Sequence, residues 1–187
     1  LFILCCAPVI TIGPAVSALY TITMREARHE GGYIFKPFFK AFKNNFKQAF
    51  LLSILYLIIG ASFVFGVKFW IEKPEFSTVN QVILVITGVF AVIFIFSLFY
   101  VFALIARFDN TIFKSVKNAV MLAVFNLRET FLLTLIHVIV IVLMIFTKGI
   151  WIFMMVGGFS VSAYINSLLF IRVFRQYEKI EGGNHDD

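Results

Sequence analysis

Basic residues and long apolar runs alternate along this chain of 187 residues. Of its 16 Lys and Arg residues, 13 lie in three segments, residues 25–47, 107–128 and 172–179. Membrane proteins with several spans concentrate Lys and Arg in their cytoplasmic loops in this manner. The alternation therefore predicts a multi-pass helical membrane protein, whose basic segments and C-terminus lie in the cytoplasm.

The composition favours a membrane protein over a soluble one. Hydrophobic residues make up 61% of the chain and charged residues 14%, whereas a soluble domain carries about 25% charged residues. The net charge of +6 lies next to the apolar runs and not on one polar domain, so it does not indicate a nucleic-acid partner. Anionic membrane lipids are the expected partners of these basic residues.

Four apolar runs approach the ~20 residues that a transmembrane helix needs. They are residues 49–67, 79–106, 131–146 and 150–170. Trp70 and Trp151 fall at the predicted outer boundary, where tryptophan side chains prefer to lie. The predicted fold is one all-α membrane domain over residues 1–187, a bundle of four transmembrane helices followed by a cytoplasmic tail over residues 171–187.

The apolar N-terminal run, residues 1–24, contains Pro8, Gly13 and Pro14. Proline removes a helix hydrogen bond and glycine loosens the backbone, so we expect two short membrane helices joined by a break. One interpretation is a kinked span or a turn at the outer surface. The other is a broken helix that lines a solute site.

Two further segments, residues 33–48 and 112–128, are amphipathic and basic. Their Lys residues recur every three or four positions, which places them on one side of a helix. Such helices lie in the membrane interface with their Lys side chains at the lipid headgroups. The predicted headgroup contacts are Lys36, Lys40, Lys43, Lys47, Lys114 and Lys117. The two segments match at an offset of 74 residues, either as parts of a duplicated unit or by chance.

Ionisable side chains inside a membrane are the default functional candidates. His137 is the one such residue in the predicted spans, and it is either a neutral side chain hydrogen-bonded to a neighbouring helix or a functional group. No nucleophile motif, metal-ligand set or phosphate loop accompanies it, so we expect no enzyme activity, no catalytic residue, no cofactor and no metal. Asn166 forms a stripe with Gly158 and Ser162 that either packs against another helix or lines a solute path.

Polar residues also follow the second predicted span. Asp109 or Asn110 is well placed to cap the next helix, whose polar face is expected to include Asn118. Arg107, which ends the span, either anchors the protein at the membrane surface or contacts a cytoplasmic partner together with Asp109 and Asn110.

Four stretches of the chain resemble one family. They read APVITIGPAVSALY at 7–20, EGGYIFKPFFKAFKNNFKQA at 30–49, ARFDN at 106–110 and AYINSLLFIRVFRQYEK at 163–179. In these stretches the chain resembles the YesL-like family, integral membrane proteins of bacteria with unknown function. The resemblance implies a location in the bacterial plasma membrane and an association with genes of sugar uptake and polysaccharide degradation. The functional candidates that match the family's motifs are Thr11, Gly13, Pro14, Arg107, Asp109, Asn110 and Asn166. Because the family usually has a further N-terminal apolar stretch, Leu1 is not expected to be the native start.

Three functions compete on this basis. The favoured hypothesis is an accessory or regulatory membrane component linked to carbohydrate uptake, with subunits of a sugar ABC transporter as partners. The alternative is a small-solute transporter or channel built around the broken N-terminal helix. An intramembrane enzyme that uses His137 ranks last. The sequence is compatible with an oligomer and does not specify one.

Overall fold

Every segment that the structure describes is helical or connects helices, as the sequence predicts. The structure is a computed structural model that describes Phe2, Cys5 and residues 11–30, 32–72, 78–146 and 158–182. Six α-helices are bounded within these residues. They are α1 (Ile12–Ala27), α2 (Phe35–Ile71), α3 (Thr78–Arg107), α4 (Ile112–Phe125), α5 (Leu127–Phe146) and α6 (Phe159–Gly182).

Two of these helices, α2 and α3, are long and apolar enough to cross a membrane. The number rises to three if α4 and α5 together form one span, although they bend by 96° at the break between them. The predicted spans 49–67, 79–106 and 131–146 lie within α2, α3 and α5. The first part of the predicted fourth span, with Trp151, lies outside the described residues. This span stays a prediction. From Phe159, α6 runs unbroken to Gly182, so helix continues into the predicted tail.

The first amphipathic segment is not a separate helix, although residues 33–48 and the following span were expected to be two elements. One helix of 37 residues, α2, contains both, and its length is about 55 Å at 1.5 Å per residue. Residues 41–59 include neither Pro nor Gly, so nothing interrupts the helix where the span was expected to begin. The second amphipathic segment does form its own helix, α4, which ends before Asn126.

α4 buries a more polar face than its pattern indicates. Ala119 and Ala123 are buried as expected, but Ser115 and Asn118 are buried with them. Ser115 lies 3.4 Å from the side-chain nitrogen of Gln48 on α2. Gln48 thus supplies a polar neighbour for the inward face of α4. Asn118 lies on the buried side and not on the predicted exposed side.

The core of the described part lies near one end of the molecule. There α1 packs against α2, α3 and α6, and the Phe170 ring of α6 makes edge contacts with Tyr20 at 5.2 Å and with Tyr100 at 5.6 Å between centroids. At this end α1 and α3 finish and α2 and α4 begin, and we call it the basic end. Towards the opposite ends of α2 and α3, apolar side chains such as Val64 and Phe65 are more than half exposed, as lipid contact requires.

Gly13 allows α1 to lie unusually close to two neighbouring helices. A Cβ atom at this position would meet a ring carbon of Phe102 at 2.8 Å and the carbonyl oxygen of Ala49 at 2.9 Å, and it would also overlap Ser53 Oγ. Two of these neighbours are backbone or ring atoms with little freedom to move. The packing of α1 between α2 and α3 therefore depends on the missing side chain.

We expect Gly13→Ala to lower the stability of the purified protein by about 1–3 kcal/mol, the usual cost of overpacking a tight contact. The measurement is thermal unfolding in a mild detergent. Gly88→Ala is the matched control, because no atom lies within 4 Å of its added Cβ and alanine favours a helix interior over glycine. Equal unfolding temperatures for the two variants would contradict the close approach.

Candidate functional site

The C-terminus of α1 ends in a tight backbone turn. The backbone N–H of His29 donates to the Glu26 carbonyl at 2.9 Å, and that of Glu30 donates to the Arg25 carbonyl at 3.1 Å. This pair of bonds is the Schellman arrangement, which needs a left-handed residue between helix and loop. His29 occupies that position with φ of 60°. The turn directs Glu30 back towards the helix end, where its Oε1 lies 3.3 Å from Arg28 Nε.

A cleft of about 480 Å³ lies between this turn and the C-terminus of α3. We call it the arginine cleft. Its lining residues are Thr21, Met24, Arg25, Arg28, Glu30, Ala106, Arg107 and Phe108. Three guanidinium groups against one carboxylate leave a formal charge of +2 in this lining.

Neighbouring contacts hold the arginines of the cleft in place. The guanidinium carbon of Arg107 lies 5.8 Å from the centre of the Phe108 ring, and that ring contacts Phe174 of α6 edge-on at 5.4 Å. Arg28 Nε also lies 3.3 Å from the Met24 carbonyl oxygen. Thr21 Oγ1 lies 3.4 Å from the carbonyl oxygen of Ala106, which joins α1 to α3 beside the cleft. These contacts hold the C-terminal ends of α1 and α3, which supply the arginines, next to each other.

Only one of the predicted functional residues lines the cleft. Arg107 does so, whereas Asp109 is exposed and outside the lining. The backbone carbonyl of Asn110 accepts a hydrogen bond from the Gln48 side chain. Neither Asp109 nor Asn110 caps α4, which corrects that expectation: the cap is Thr111, whose hydroxyl accepts from the backbone N–H of Lys114 at 3.4 Å.

The N-terminal candidates lie away from the cleft. Thr11 precedes α1, and its hydroxyl donates to the Cys5 carbonyl. Gly13 and Pro14 are buried in the first turn of α1, where proline is tolerated because its nitrogen needs no helical acceptor. The break predicted around Pro8 lies outside the described residues. In the described part of the N-terminal run, the first turn of α1 is packed against other helices.

His137 makes contacts that account for its position. Its Nδ1 donates to the Leu133 carbonyl one turn earlier at 2.7 Å. The imidazole ring stacks on Phe99 of α3, with 4.5 Å between ring centres. These contacts place the imidazole ring in the packing between α5 and α3.

Asn166 lies in the contact between α6 and α1. Its side chain is buried and hydrogen-bonds to that of Tyr20, while Oδ1 has no partner among the described residues. The adjacent Ser167 hydroxyl lies 2.6 Å from the Thr23 hydroxyl of α1. Asn166 is thus part of a polar helix–helix contact.

The predicted headgroup lysines are all exposed. They are Lys36, Lys40, Lys43 and Lys47 on α2 and Lys114 and Lys117 on α4. Exposure is compatible with headgroup contact, which stays a prediction.

Sequence reasoning missed most of the arginine cleft. Thr21, Arg25, Arg28 and Glu30 were not candidates, although Arg25 and Arg28 directly follow an apolar run and stand one helical turn apart. Arg107 also ends an apolar run on the predicted inner side. A search for arginines at such run ends would have selected all three, but their convergence depends on how the helices pack.

One comparison with known proteins gives a match. A family model described as "Protein of unknown function, DUF624" matches residues 1–67. The YesL-like family is DUF624, so the match supports the resemblance over these residues. Two of the four resembling stretches lie in the matched part. Comparisons with curated proteins and with solved structures give no match.

The left-handed conformation of His29 can be tested, and with it the turn that places Glu30. We expect His29→Val to lower stability by about 1–2 kcal/mol, because a side chain in the left-handed region crowds its own carbonyl and a β-branched one does so most. His29→Gly should be at least as stable as the parent protein. Thermal unfolding of the two variants side by side is the measurement, and equal stabilities would argue against the turn.

Proposed function

We propose that this protein is an accessory or regulatory component of the bacterial plasma membrane, linked to carbohydrate uptake, and that the arginine cleft is its cytoplasmic working surface. The observation that carries the proposal is the convergence of Arg25, Arg28 and Arg107 from two different helices on one cleft. Exposed structural cations are normally scattered, whereas a set of arginines gathered in one concave site is typical of anion recognition.

The orientation in this proposal follows from charge. Lys and Arg near helix ends favour the cytoplasmic side, and the basic end holds Arg25, Arg107 and the first turns of α2 and α4 together. The protein would therefore cross the membrane several times with its cleft and its C-terminus in the cytoplasm.

The link to carbohydrate uptake rests on the YesL-like resemblance, for which the DUF624 match over residues 1–67 is the support. Sugar ABC transporter subunits are the proposed partners. A cleft at the cytoplasmic ends of α1 and α3 would let such a subunit, or a charged ligand that it responds to, act on the helices through their termini.

A transporter or channel built around the N-terminal run receives no support from the described residues. The beginning of α1 is packed against α2 and α3 so closely that Gly13 has no room for a methyl group. Pro14, Ala15, Ser17 and Ala18 are buried in the same contact. A solute path needs an opening at this place, and the structure shows side chains in contact instead.

The orientation is tested by cysteine labelling with a membrane-impermeant thiol reagent, after Cys5 and Cys6 are replaced by Ser. We expect Glu72→Cys, at the end of α2 opposite the basic end, to react in intact spheroplasts. Arg175→Cys on α6 should react only after the membrane is permeabilised. Both side chains are exposed, so access to the protein does not limit the reaction. Labelling of Arg175→Cys from outside would refute the proposed topology.

The partner is tested by co-purification from native membranes under mild extraction, with uptake of sugars measured in a deletion strain carrying each variant. We expect the Arg25→Gln/Arg107→Gln variant to lose about tenfold of the recovered transporter subunits, the effect of about 1.4 kcal/mol in affinity. Arg172→Gln/Arg175→Gln removes the same charge from exposed positions outside the cleft and should behave as the parent protein. Unchanged recovery and uptake with the cleft variant would refute the proposal.

A further inference from the structure

We propose that the arginine cleft binds a phosphate group, carried either by an anionic lipid or by a soluble phosphate ester. This inference rests on the proposed function in one respect: it assigns a ligand to the same cleft. It extends that function because a phosphate ligand would make the cleft a sensor of lipid or metabolite composition, and not simply a docking surface.

The charge of the lining calls for an anion. Three guanidinium groups face one carboxylate, which leaves a formal charge of +2. The C-termini of α1 and α3 contribute about −0.5 elementary charge each, so a positive charge of about +1 persists. Arg25 and Arg107 are half-buried, so water screens their charges less than those of fully exposed side chains.

Guanidinium groups match phosphate in shape as well as charge. Each presents a planar fork of N–H donors that can bind two oxygens of one phosphate. The three groups come from two helix ends, so a ligand that contacts them all must offer several oxygens in different directions. A phosphate does so, whereas a carboxylate offers two oxygens in one plane and carries a single charge.

The size of the cleft indicates more than a bare phosphate. Its volume of about 480 Å³ falls in the range of about 300–1,000 Å³ that holds small organic ligands. Met24 and Phe108 supply apolar surface next to the arginines. The remaining space would hold the organic part of a phosphate ester or the glycerol region of a lipid.

Glu30 is the internal competitor for this site. Its carboxylate lies 3.3 Å from Arg28 Nε and reduces the positive charge that a ligand meets. The turn that places this carboxylate is held by backbone hydrogen bonds. Replacing the Glu30 carboxylate therefore changes the charge of the cleft without removing one of these bonds. Glu30→Gln should therefore bind phosphate more tightly, a result that misfolding cannot produce.

The test uses the full-length protein purified in an uncharged maltoside detergent. One arm measures lipid binding by native mass spectrometry with phosphatidic acid and phosphatidylglycerol, and diacylglycerol serves as the comparator without phosphate. The other arm titrates inorganic phosphate and glycerol 3-phosphate by calorimetry, with acetate as the carboxylate comparator. We expect saturable binding in at least one arm and weak or no binding of both comparators.

The variants assign the binding to the cleft. We expect Arg25→Gln and Arg107→Gln each to weaken phosphate binding about tenfold, the scale of one lost charge-assisted contact. Glu30→Gln should strengthen it about threefold or more on the same reasoning, and Arg172→Gln/Arg175→Gln should leave it unchanged. Thermal unfolding of each variant confirms that it is folded.

Each outcome decides whether the proposal holds or which molecule carries the phosphate group. Binding in the lipid arm alone assigns a headgroup, binding in the soluble arm alone assigns a phosphate ester, and binding in both assigns a cleft that accepts either. Binding in neither arm, or binding that the arginine variants leave unchanged, overturns the inference. Such a result would not affect co-purification with transporter subunits, so failure of the ligand and failure of the proposed function are distinguishable.

Discussion

The close contact of α1 with α2 and α3 is the constraint on which the rest of the described structure depends. At its start Gly13 brings α1 against Ala49 and Phe102, and two turns later Thr21 meets the carbonyl of Ala106. Small residues of α1 such as Ala15, Ser17 and Ala18 are buried between these points. The position of Arg25 and Arg28 opposite Arg107 is a consequence of this packing.

Polar contacts between buried side chains specify which helices pair. Thr23 meets Ser167 at 2.6 Å, the Asn45 amide donates to Ser17 at 3.1 Å, and the Tyr100 and Thr130 hydroxyls lie 3.0 Å apart. In a membrane such bonds contribute about 0.6 kcal/mol each on average. Their importance lies in geometry, because apolar surfaces alone do not distinguish one helix partner from another in lipid. These bonds select α6 and α2 for α1, and α5 for α3.

The sequence predicted elements better than it predicted their boundaries and faces. Apolar runs identified the helices that contain residues 49–67 and 79–106 because long runs without charge have few alternatives to a helix in lipid. The boundary expected between residues 48 and 49 is not a helix end, since amphipathicity describes the face of a helix and not where it ends. Asn118 was expected on the polar face of α4 but is buried, because the buried face depends on how α4 packs against other helices. The cap was assigned to Asp109 or Asn110, although Thr111 stands closer to the helix.

What the sequence by itself determined is the class of the protein: an all-helical chain, with helices suited to a membrane and positive charge grouped at their ends. Periodicity and charge are local properties, and they suffice for that conclusion. The arginine cleft was decided only by tertiary structure. Arg28 and Arg107 are far apart in the chain, and they line one cleft because α1 packs closely against α3, where Gly13 leaves no side chain between the helices. A contact between helices depends on shape at both surfaces, and no single segment contains that information.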